Sequence, residues 1–245
     1  MSAERVAVVT GGTRGLGRAV TEALLEQGST VVAVYRDDTD AARELEARHG
    51  DALVVEQADL REPDVCIGLI ARVLDRFGRI DYLVNNAGAL HEARLQDVDP
   101  AQWEVSLALN LSAPFYLSQA ALAPMRVRRF GRIVNVGSVS ATMGSGFQVP
   151  YTAAKSGLVG LTRSFARIGA RSSVTVNCLL LGGFETELLA DLTFTDRSQI
   201  EASVPVGRFG QAEEFAHAVL SLLDDHASYI TGAVLAVDGG LGMGE

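Results

Sequence analysis

The sequence is poor in cysteine and lacks long apolar runs. Two of its 245 residues are cysteines, Cys66 and Cys178, which are too few for a disulfide framework or a zinc cluster. Both stand among apolar residues, so we expect buried thiols and no metal site. No apolar run reaches the roughly 18 residues that span a bilayer, and the first residues lack the apolar core of a signal peptide. We therefore expect a cytoplasmic protein without a membrane partner.

The sequence also has no excess of basic residues. The chain has 30 acidic and 21 basic residues, giving a net charge of −9, and contains no basic run. This balance disfavours nucleic acid as a partner. Lysine is nearly absent, because Lys155 is the single lysine among the basic residues. The single lysine suggests that position 155 needs a property of lysine that arginine does not have.

Short apolar runs alternate with longer helical patterns, which is typical of parallel βαβ units. We predict strands at 5–10, 29–36, 52–60, 80–88, 131–138, 173–183 and 233–240. We predict helices at 18–27, 40–49, 65–77, 99–125, 150–170 and 211–223. These elements indicate one α/β domain over 1–245, a doubly wound, Rossmann-type fold with a seven-stranded parallel sheet flanked by helices. Residues 186–205 have few periodic apolar positions and are expected to form a mobile substrate-side segment.

A glycine-rich turn lies between the first strand and its helix. Glycine allows the backbone N–H groups of such a turn to approach a pyrophosphate, and the helix N-terminus adds favourable partial charge. A tight turn without a ligand is the alternative, but the strand–turn–helix context favours dinucleotide binding. The predicted phosphate-binding residues are Gly11, Gly12, Thr13, Arg14, Gly15, Leu16 and Gly17.

The spacing Gly-x-x-x-Gly-x-Gly is one of several motifs that resemble the short-chain dehydrogenase/reductase family over nearly the whole chain. The others are ADL at 58–60, NNAG at 85–88, Asn110, Ser138, Tyr151-x-x-x-Lys155 and VDGG at 237–240. Residues 137–164 and 205–216 are most similar to the 3-oxoacyl-[acyl-carrier-protein] reductases of that family. The resemblance implies NADPH-dependent reduction of a 3-oxoacyl thioester, in fatty-acid or polyketide biosynthesis. A dehydrogenase of a small alcohol, sugar or polycyclic ketone, or a non-enzymatic dinucleotide sensor, remains an alternative.

The end of the second strand favours NADP(H). Tyr35 stands where the NAD-type branch of the family usually has Asp, and Arg36 follows it. Together with Arg14, Arg36 can form charge-assisted hydrogen bonds to a 2′-phosphate. The alternative is that Arg36 is a solvated residue neutralised by Asp37 and Asp38. The resemblance implies further cofactor contacts from Asp59, Leu60, Asn86, Ala87, Gly88, Gly182, Phe184 and Thr186, besides Tyr151 and Lys155.

Leu181 departs from the family pattern. The family usually has Pro-Gly after the sixth strand, and this chain has Leu181-Gly182. Without proline, φ is not fixed, so we expect a freer backbone where the nicotinamide is seated.

Tyr151 and Lys155 are four residues apart and therefore share one helix face. Reduction of a ketone requires a proton on the carbonyl oxygen, and a phenol with a pKa near 10 is a poor acid–base group. We expect the Lys155 ammonium to lower the pKa of Tyr151 and to hydrogen-bond the nicotinamide ribose. A surface lysine beside a half-buried tyrosine is the alternative.

Ser138 ends the fifth strand, where its hydroxyl can polarise a substrate carbonyl. A capping role, or replacement by Ser140, is possible on local sequence alone, and the family spacing to Tyr151 selects Ser138. Asn110 lies within a predicted helix, where Asn is a poor helix former. The resemblance implies that Asn110 holds a water that links Lys155 to solvent. An irregularity in the helix without a chemical role is the alternative.

Two features bear on partners. A basic cluster before the fifth strand and after the next helix could attract an acidic acyl carrier protein, with a solvated corner or a subunit contact as equal alternatives. This basic cluster consists of Arg126, Arg128, Arg129, Arg167 and Arg171. The family resemblance also implies a homotetramer, and two features suit it: Leu158, Leu161 and Phe165 are predicted to be exposed on one helix face, and 233–244 is apolar to its end. Burial of these residues within one subunit, or a dimer that uses the helix face alone, remains an alternative.

Overall fold

The chain folds around one parallel β-sheet with helices on both faces. In the computed structural model, residues 5–186, 194 and 196–243 are described. The strands are β1 Val6–Thr10, β2 Thr30–Tyr35, β3 Leu53–Gln57, β4 Tyr82–Asn85, β5 Gly131–Ser138, β6 Val174–Leu181 and β7 Val234–Val237. Their order across the sheet is β3-β2-β1-β4-β5-β6-β7, and all neighbours are parallel. The prediction of a seven-stranded, Rossmann-type sheet is confirmed.

Helices follow the strands in alternation. They are α1 Gly15–Glu26, α2 Thr39–His49, α3 Pro63–Phe77, α4 Pro100–Leu107, α5 Ala113–Arg128, α6 Ser140–Met143, α7 Val149–Gly169, α8 Arg197–Ser203 and α9 Ala212–Leu223. Within the described residues, no helix combines the length and apolar character needed to cross a bilayer.

The strands between the two edges of the sheet are buried on both faces, so they are continuous apolar runs instead of alternating ones. Val8 and Leu83 face a core formed with α3, α5 and α7. Val9 and Val84, their chain neighbours, face a second core formed with α1 and α9. The strand order reverses between β1 and β4, and in open α/β sheets such a point leaves a crevice at the carboxyl ends of the strands. Both cysteines are buried free thiols, as expected.

The predicted helix at 99–125 is not one continuous α-helix. A π-helical turn at Ala108–Ser112, centred on Asn110, separates α4 from α5. Pro114 has no backbone N–H and therefore cannot donate to the carbonyl group of Asn110, which removes one helical hydrogen bond at this point. The side-chain amide of Asn110 donates to the carbonyl oxygen of Ser106 at 3.1 Å and thus occupies a backbone acceptor within the same turn.

Two further expectations need correction or remain open. Leu158 and Phe165 are buried within the subunit, with 0% and 6% of their surface exposed, because the inner face of α7 covers the sheet and α5. The predicted exposed stripe on that helix is therefore wrong for these two residues. Within 186–205, the structure places α8, which begins after Asp196. Residues 187–193 and 195 lie outside the described residues, so the mobility of that segment stays a prediction.

Candidate active site

A cavity of about 730 Å³ opens at the carboxyl ends of β1, β4 and β5. Every predicted cofactor residue borders it except Gly12, which is buried behind the turn. Of the predicted catalytic residues, Ser138, Tyr151 and Lys155 line the cavity. Asn110 is fully buried behind its wall. The fold therefore gathers the glycine turn and the catalytic candidates, which are far apart in sequence, around one cavity.

The glycine turn is packed so closely that side chains do not fit. Gly11 has a φ of +64°, in the left-handed region that favours glycine. A β-carbon on Gly17 would overlap the carbonyl oxygen of Gly11 and would lie 2.6 Å from Nδ2 of Asn86. Arg14 occupies the N-cap position of α1, where an arginine side chain cannot accept hydrogen bonds from the first N–H groups of the helix. The first N–H groups of α1 are thus left to an anion, which fits a dinucleotide pyrophosphate.

Thr10 fastens this turn to the loop after β4. Its hydroxyl oxygen accepts hydrogen bonds from the backbone N–H groups of Asn86 and Ala87, both at 2.9 Å. In return, Nδ2 of Asn86 donates to the carbonyl oxygen of Thr10 at 2.8 Å. Sequence reasoning did not assign Thr10 a role, although its place directly before the glycines was a usable signal. The two loops that would hold the cofactor are therefore fixed to each other.

The adenosine end of the cavity carries paired charges. Nε of Arg36 donates to Oδ2 of Asp37 at 2.6 Å, the partner anticipated by the alternative interpretation of Arg36. Arg36 and then Arg14 lower the pKa of Asp37, which indicates that both guanidiniums lie near one carboxylate. Arg61, which the sequence did not single out, binds Asp59 and holds the pKa of that carboxyl at about 2. Both predicted arginines thus lie near one carboxylate at this end of the cavity, and Arg36 is paired with it.

The catalytic candidates converge at the end of β5. The hydroxyl of Ser138 lies close enough to that of Tyr151 to lower the pKa of the phenol. Ser138 Oγ also accepts hydrogen bonds from the backbone N–H group and the hydroxyl of Ser140, at 3.2 and 3.0 Å. Because Ser140 is the donor in both hydrogen bonds, it orients Ser138 and leaves the O–H of Ser138 free to donate to another group. Lys155, 3% exposed, donates from Nζ to the carbonyl oxygen of Val136 at 2.7 Å.

The pKa of Tyr151 shifts opposite to the expected direction. Burial raises the pKa of Tyr151 to about 12, against a smaller lowering by the Ser138 hydrogen bond. The ammonium of Lys155 bonds to Val136 and lies 5.5 Å from the centre of the tyrosine ring, which explains why it does not favour the phenolate. Burial also lowers the pKa of Lys155 to about 8. At neutral pH the pair is a protonated phenol beside an ammonium, the state that can donate a proton.

Asn110 brings a buried acceptor to the lysine. Its Nδ2 donates to the carbonyl oxygens of Ala89 and Ser106, while Oδ1 has no hydrogen-bond partner among the described residues. A β-carbon on Gly88 would lie 2.8 Å from Oδ1 of Asn110 and 3.4 Å from Nζ of Lys155. Because Gly88 has no side chain, a space remains between Oδ1 of Asn110 and Nζ of Lys155. A buried acceptor without a partner is costly, so this space fits the water that the family resemblance implies.

The nicotinamide side of the cavity is firm despite the missing proline. Leu181 is the last residue of β6, paired with Ser138 and Val237, and its carbonyl oxygen accepts from the N–H of Val139 at 2.9 Å. A β-carbon on Gly182 would lie 2.8 Å from Cα of Asp238. The expectation of a freer backbone at Leu181 is wrong, because the strand ladder fixes it on both sides.

Comparisons with known proteins agree with the motifs. A family model described as enoyl-(acyl carrier protein) reductase matches residues 11–242. The chain is 39% identical over 241 residues to the 3-oxoacyl-[acyl-carrier-protein] reductase FabG of Escherichia coli K12, covering 98% of each chain. It is 38% identical over 239 residues to FabG of Vibrio cholerae, with the same coverage. It is also 38% identical over 239 residues to the acetoacetyl-CoA reductase of Shinella zoogloeoides, covering 96% of this chain and 98% of that protein.

Proposed function

Since this chain belongs to the short-chain dehydrogenase/reductase family, we propose that it reduces the keto group of a 3-oxoacyl thioester with NADPH. The observation that carries the proposal is the proximity of two hydroxyl groups, those of Ser138 and Tyr151, in the cavity that also holds the glycine turn. Two hydroxyl donors converge where a ketone oxygen would develop negative charge. The relatives named for 3-oxoacyl and acetoacetyl thioesters support this substrate class.

The side chains divide the work of the reduction. The residues around the glycine turn would hold a nicotinamide dinucleotide, which would supply the hydride for the keto carbon. The hydroxyl groups of Ser138 and Tyr151 hold the carbonyl oxygen, and Tyr151 gives that oxygen its proton, which yields the 3-hydroxyacyl thioester. The Lys155 ammonium, which is bonded to Val136 and not to the phenol, returns a proton to the tyrosinate that this transfer leaves. Asn110 Oδ1, across the space above Gly88, holds the water through which the proton is replaced.

The experiment that tests the function measures NADPH oxidation by the purified protein. Its substrates are acetoacetyl-carrier protein, acetoacetyl-CoA, a small acetoacetyl thioester and unrelated ketones. We expect turnover with the thioesters and little with the other ketones. Turnover of a small alcohol, sugar or polycyclic ketone without thioester reduction would instead favour the alternative function. Absence of oxidation with every substrate would favour a dinucleotide sensor.

Arg36 is proposed to select NADPH over NADH. Replacement of Arg36 by Asp removes a charge-assisted hydrogen bond and places like charge beside the 2′-phosphate. We expect the Kd of NADPH to rise by roughly 10- to 100-fold, the scale of one such interaction, with little change for NADH. Fluorescence titration with both cofactors measures this.

Arg48→Asp is a matched control, because Arg48 makes ion pairs on the exposed side of α2 and does not border the cavity. It should leave both affinities unchanged. Equal loss for NADPH and NADH in Arg36→Asp would mean that the phosphate is held elsewhere.

The basic cluster is proposed as a docking surface for an acidic carrier protein. Nη2 of Arg129 donates to the carbonyl oxygen of Arg171 at 3.4 Å, so the ends of α5 and α7 meet. This corner lies at the amino ends of the strands, whereas Ser138 lies at the carboxyl end of β5. The length of β5 separates them by roughly 25 Å, at about 3.3 Å per residue. A carrier docked at this corner would therefore have to deliver its acyl group across that distance to reach Ser138.

We propose a homotetramer with two different self-complementary surfaces. With Leu158 and Phe165 buried, the exposed apolar side chains on the α4 and α7 surface are Trp103, Val105 and Ile168. At the other surface, β7 ends the described sheet with Leu235 42% exposed. Light scattering during size exclusion should give the mass of four subunits of 25.9 kDa. A mass of one or two subunits at micromolar concentration would contradict the tetramer.

A further inference from the structure

A buried carboxylate outside the catalytic set joins Gln148, which lines the cavity, to Phe194 in the segment after β6. Glu92, in the loop after β4, is 8% exposed. Its Oε1 accepts from Nε2 of Gln148 at 3.1 Å, and its Oε2 accepts from the backbone N–H of Phe194 at 2.8 Å. A buried carboxylate destabilises a fold unless its oxygens are hydrogen-bonded. Both oxygens are satisfied here, each by a different part of the chain.

Aromatic contacts reinforce the same connection. The rings of Phe147 and Phe194 stack, with centroids 5.3 Å apart and planes 12° from parallel. The guanidinium of Arg94 lies 5.8 Å from the Phe194 ring centre. The backbone N–H of Ala93 donates to the carbonyl oxygen of Phe147 at 2.9 Å. Residues 92–94 therefore hold Phe194 against the turn that precedes α7.

Residues close to Phe147 in sequence line the cavity, and both stacked rings are partly exposed. Ser145 and Gln148, on either side of Phe147 in sequence, line the cavity. The exposed fractions of Phe147 and Phe194 are 39% and 44%. Two large apolar rings held together by a buried carboxylate, yet left accessible, are better suited to contact an apolar ligand than to fill a core. Of the parts of a 3-oxoacyl thioester, the hydrocarbon tail is the apolar one, whereas the arm on the sulfur side carries polar amides.

We propose that Glu92 is a positioning residue that holds the Phe147–Phe194 stack, and that this stack binds the hydrocarbon tail of the acyl substrate. The inference rests on the proposed function, because it assigns the tail of that same substrate. It makes Phe147 and Phe194 specificity-determining residues for acyl length. Glu92 itself touches neither the reacting carbonyl nor the hydride donor.

The test compares Glu92→Ala, Phe194→Ala and the double variant on acetoacetyl-CoA and 3-oxooctanoyl-CoA. Each single variant should raise KM for the eight-carbon substrate by roughly tenfold, the scale of a lost apolar contact or hydrogen bond. KM for the four-carbon substrate, KM for NADPH and kcat should change by less than about twofold. The double variant should be no worse than Phe194→Ala, since both changes remove one contact.

Two further variants separate positioning from stability. In Glu92→Gln, the new amide can accept from Phe194 and donate to Gln148 once the Gln148 amide turns over, so acyl-length preference should be retained. Asp81→Ala removes a buried carboxylate directly before β4, at the amino ends of the strands and away from the cavity. There Asp81 accepts hydrogen bonds from the N–H of Val6 and the guanidinium of Arg79. The substitution should lower Tm without changing acyl-length preference.

Equal losses on the two thioesters, or additive losses in the double variant, would overturn the inference. Amide hydrogen exchange at Phe194 gives a readout independent of activity, and Glu92→Ala should accelerate it. Unchanged exchange would likewise overturn the role of Glu92. If the wild-type protein reduces neither thioester, the proposed function fails, and the exchange measurement still tests the Glu92 contact.

Discussion

Replacement of Tyr151 by phenylalanine should reduce turnover at least about 100-fold, the usual scale for loss of a general acid, while NADPH binding is retained. The substitution keeps the ring and removes the hydroxyl that lies near Ser138 and can protonate the carbonyl oxygen. Burial holds the pKa of that phenol at about 12, so wild-type Tyr151 carries its proton throughout the neutral range. Phenylalanine has no proton to give at any pH.

The measurement combines steady-state NADPH oxidation on a 3-oxoacyl thioester with fluorescence titration of NADPH. Tyr116→Phe is a matched control, because Tyr116 packs against Phe115 within α5 and does not line the cavity. It should retain turnover within about twofold. Near-normal turnover in Tyr151→Phe would remove Tyr151 from its role as proton donor and leave Ser138 as the only hydroxyl of the pair.

The fold could be predicted largely from apolar patterns, because strands buried on both faces are continuous apolar runs. The five residues of β1 are all buried, and the run that predicts them is uninterrupted. The π-helical turn could not be found in the same way. It involves Pro114, whose missing N–H is visible in the sequence, and a hydrogen bond from Asn110 to Ala89, which only the tertiary structure provides. The local sequence therefore shows the missing N–H of Pro114, but it does not show the hydrogen bond from Asn110 to Ala89.

The motifs predicted most residues of the proposed site. They did not predict the residues whose hydrogen bonds hold its loops in place. Gly11 and Tyr151 belong to short motifs, and the chemistry of phosphate binding and proton transfer makes the spacing of these motifs recognisable. Thr10 acts on a loop 76 residues away, and Glu92 acts on Phe194, 102 residues away. Such contacts have no signature in local spacing. The error at Leu158 has a related cause, because an apolar helix face looks the same whether its own subunit or a neighbour covers it.

Replacement of Gly17 by alanine should abolish tight cofactor binding. The added methyl group would overlap the carbonyl oxygen of Gly11 and crowd Nδ2 of Asn86 at 2.6 Å. Neither neighbour can move easily, since Gly11 is held at a φ of +64° and Asn86 is hydrogen-bonded to Thr10. The turn must therefore shift by an ångström or more, which moves the N–H groups that would bind the pyrophosphate. We expect the Kd of NADPH to rise at least about 100-fold, the scale of a displacement of this size.

Gly68→Ala separates this effect from the general consequences of adding a methyl group to a helix. A β-carbon on Gly68, within α3, would meet only the flexible end of Arg72 at 3.1 Å. Because alanine is the better helix former, Gly68→Ala should raise the free energy of unfolding by about 0.5–1 kcal/mol and leave NADPH affinity unchanged. Calorimetric titration of NADPH with both variants, after circular dichroism has established that each is folded, measures the difference. A folded Gly17→Ala protein with wild-type affinity would mean that the pyrophosphate does not bind at this turn.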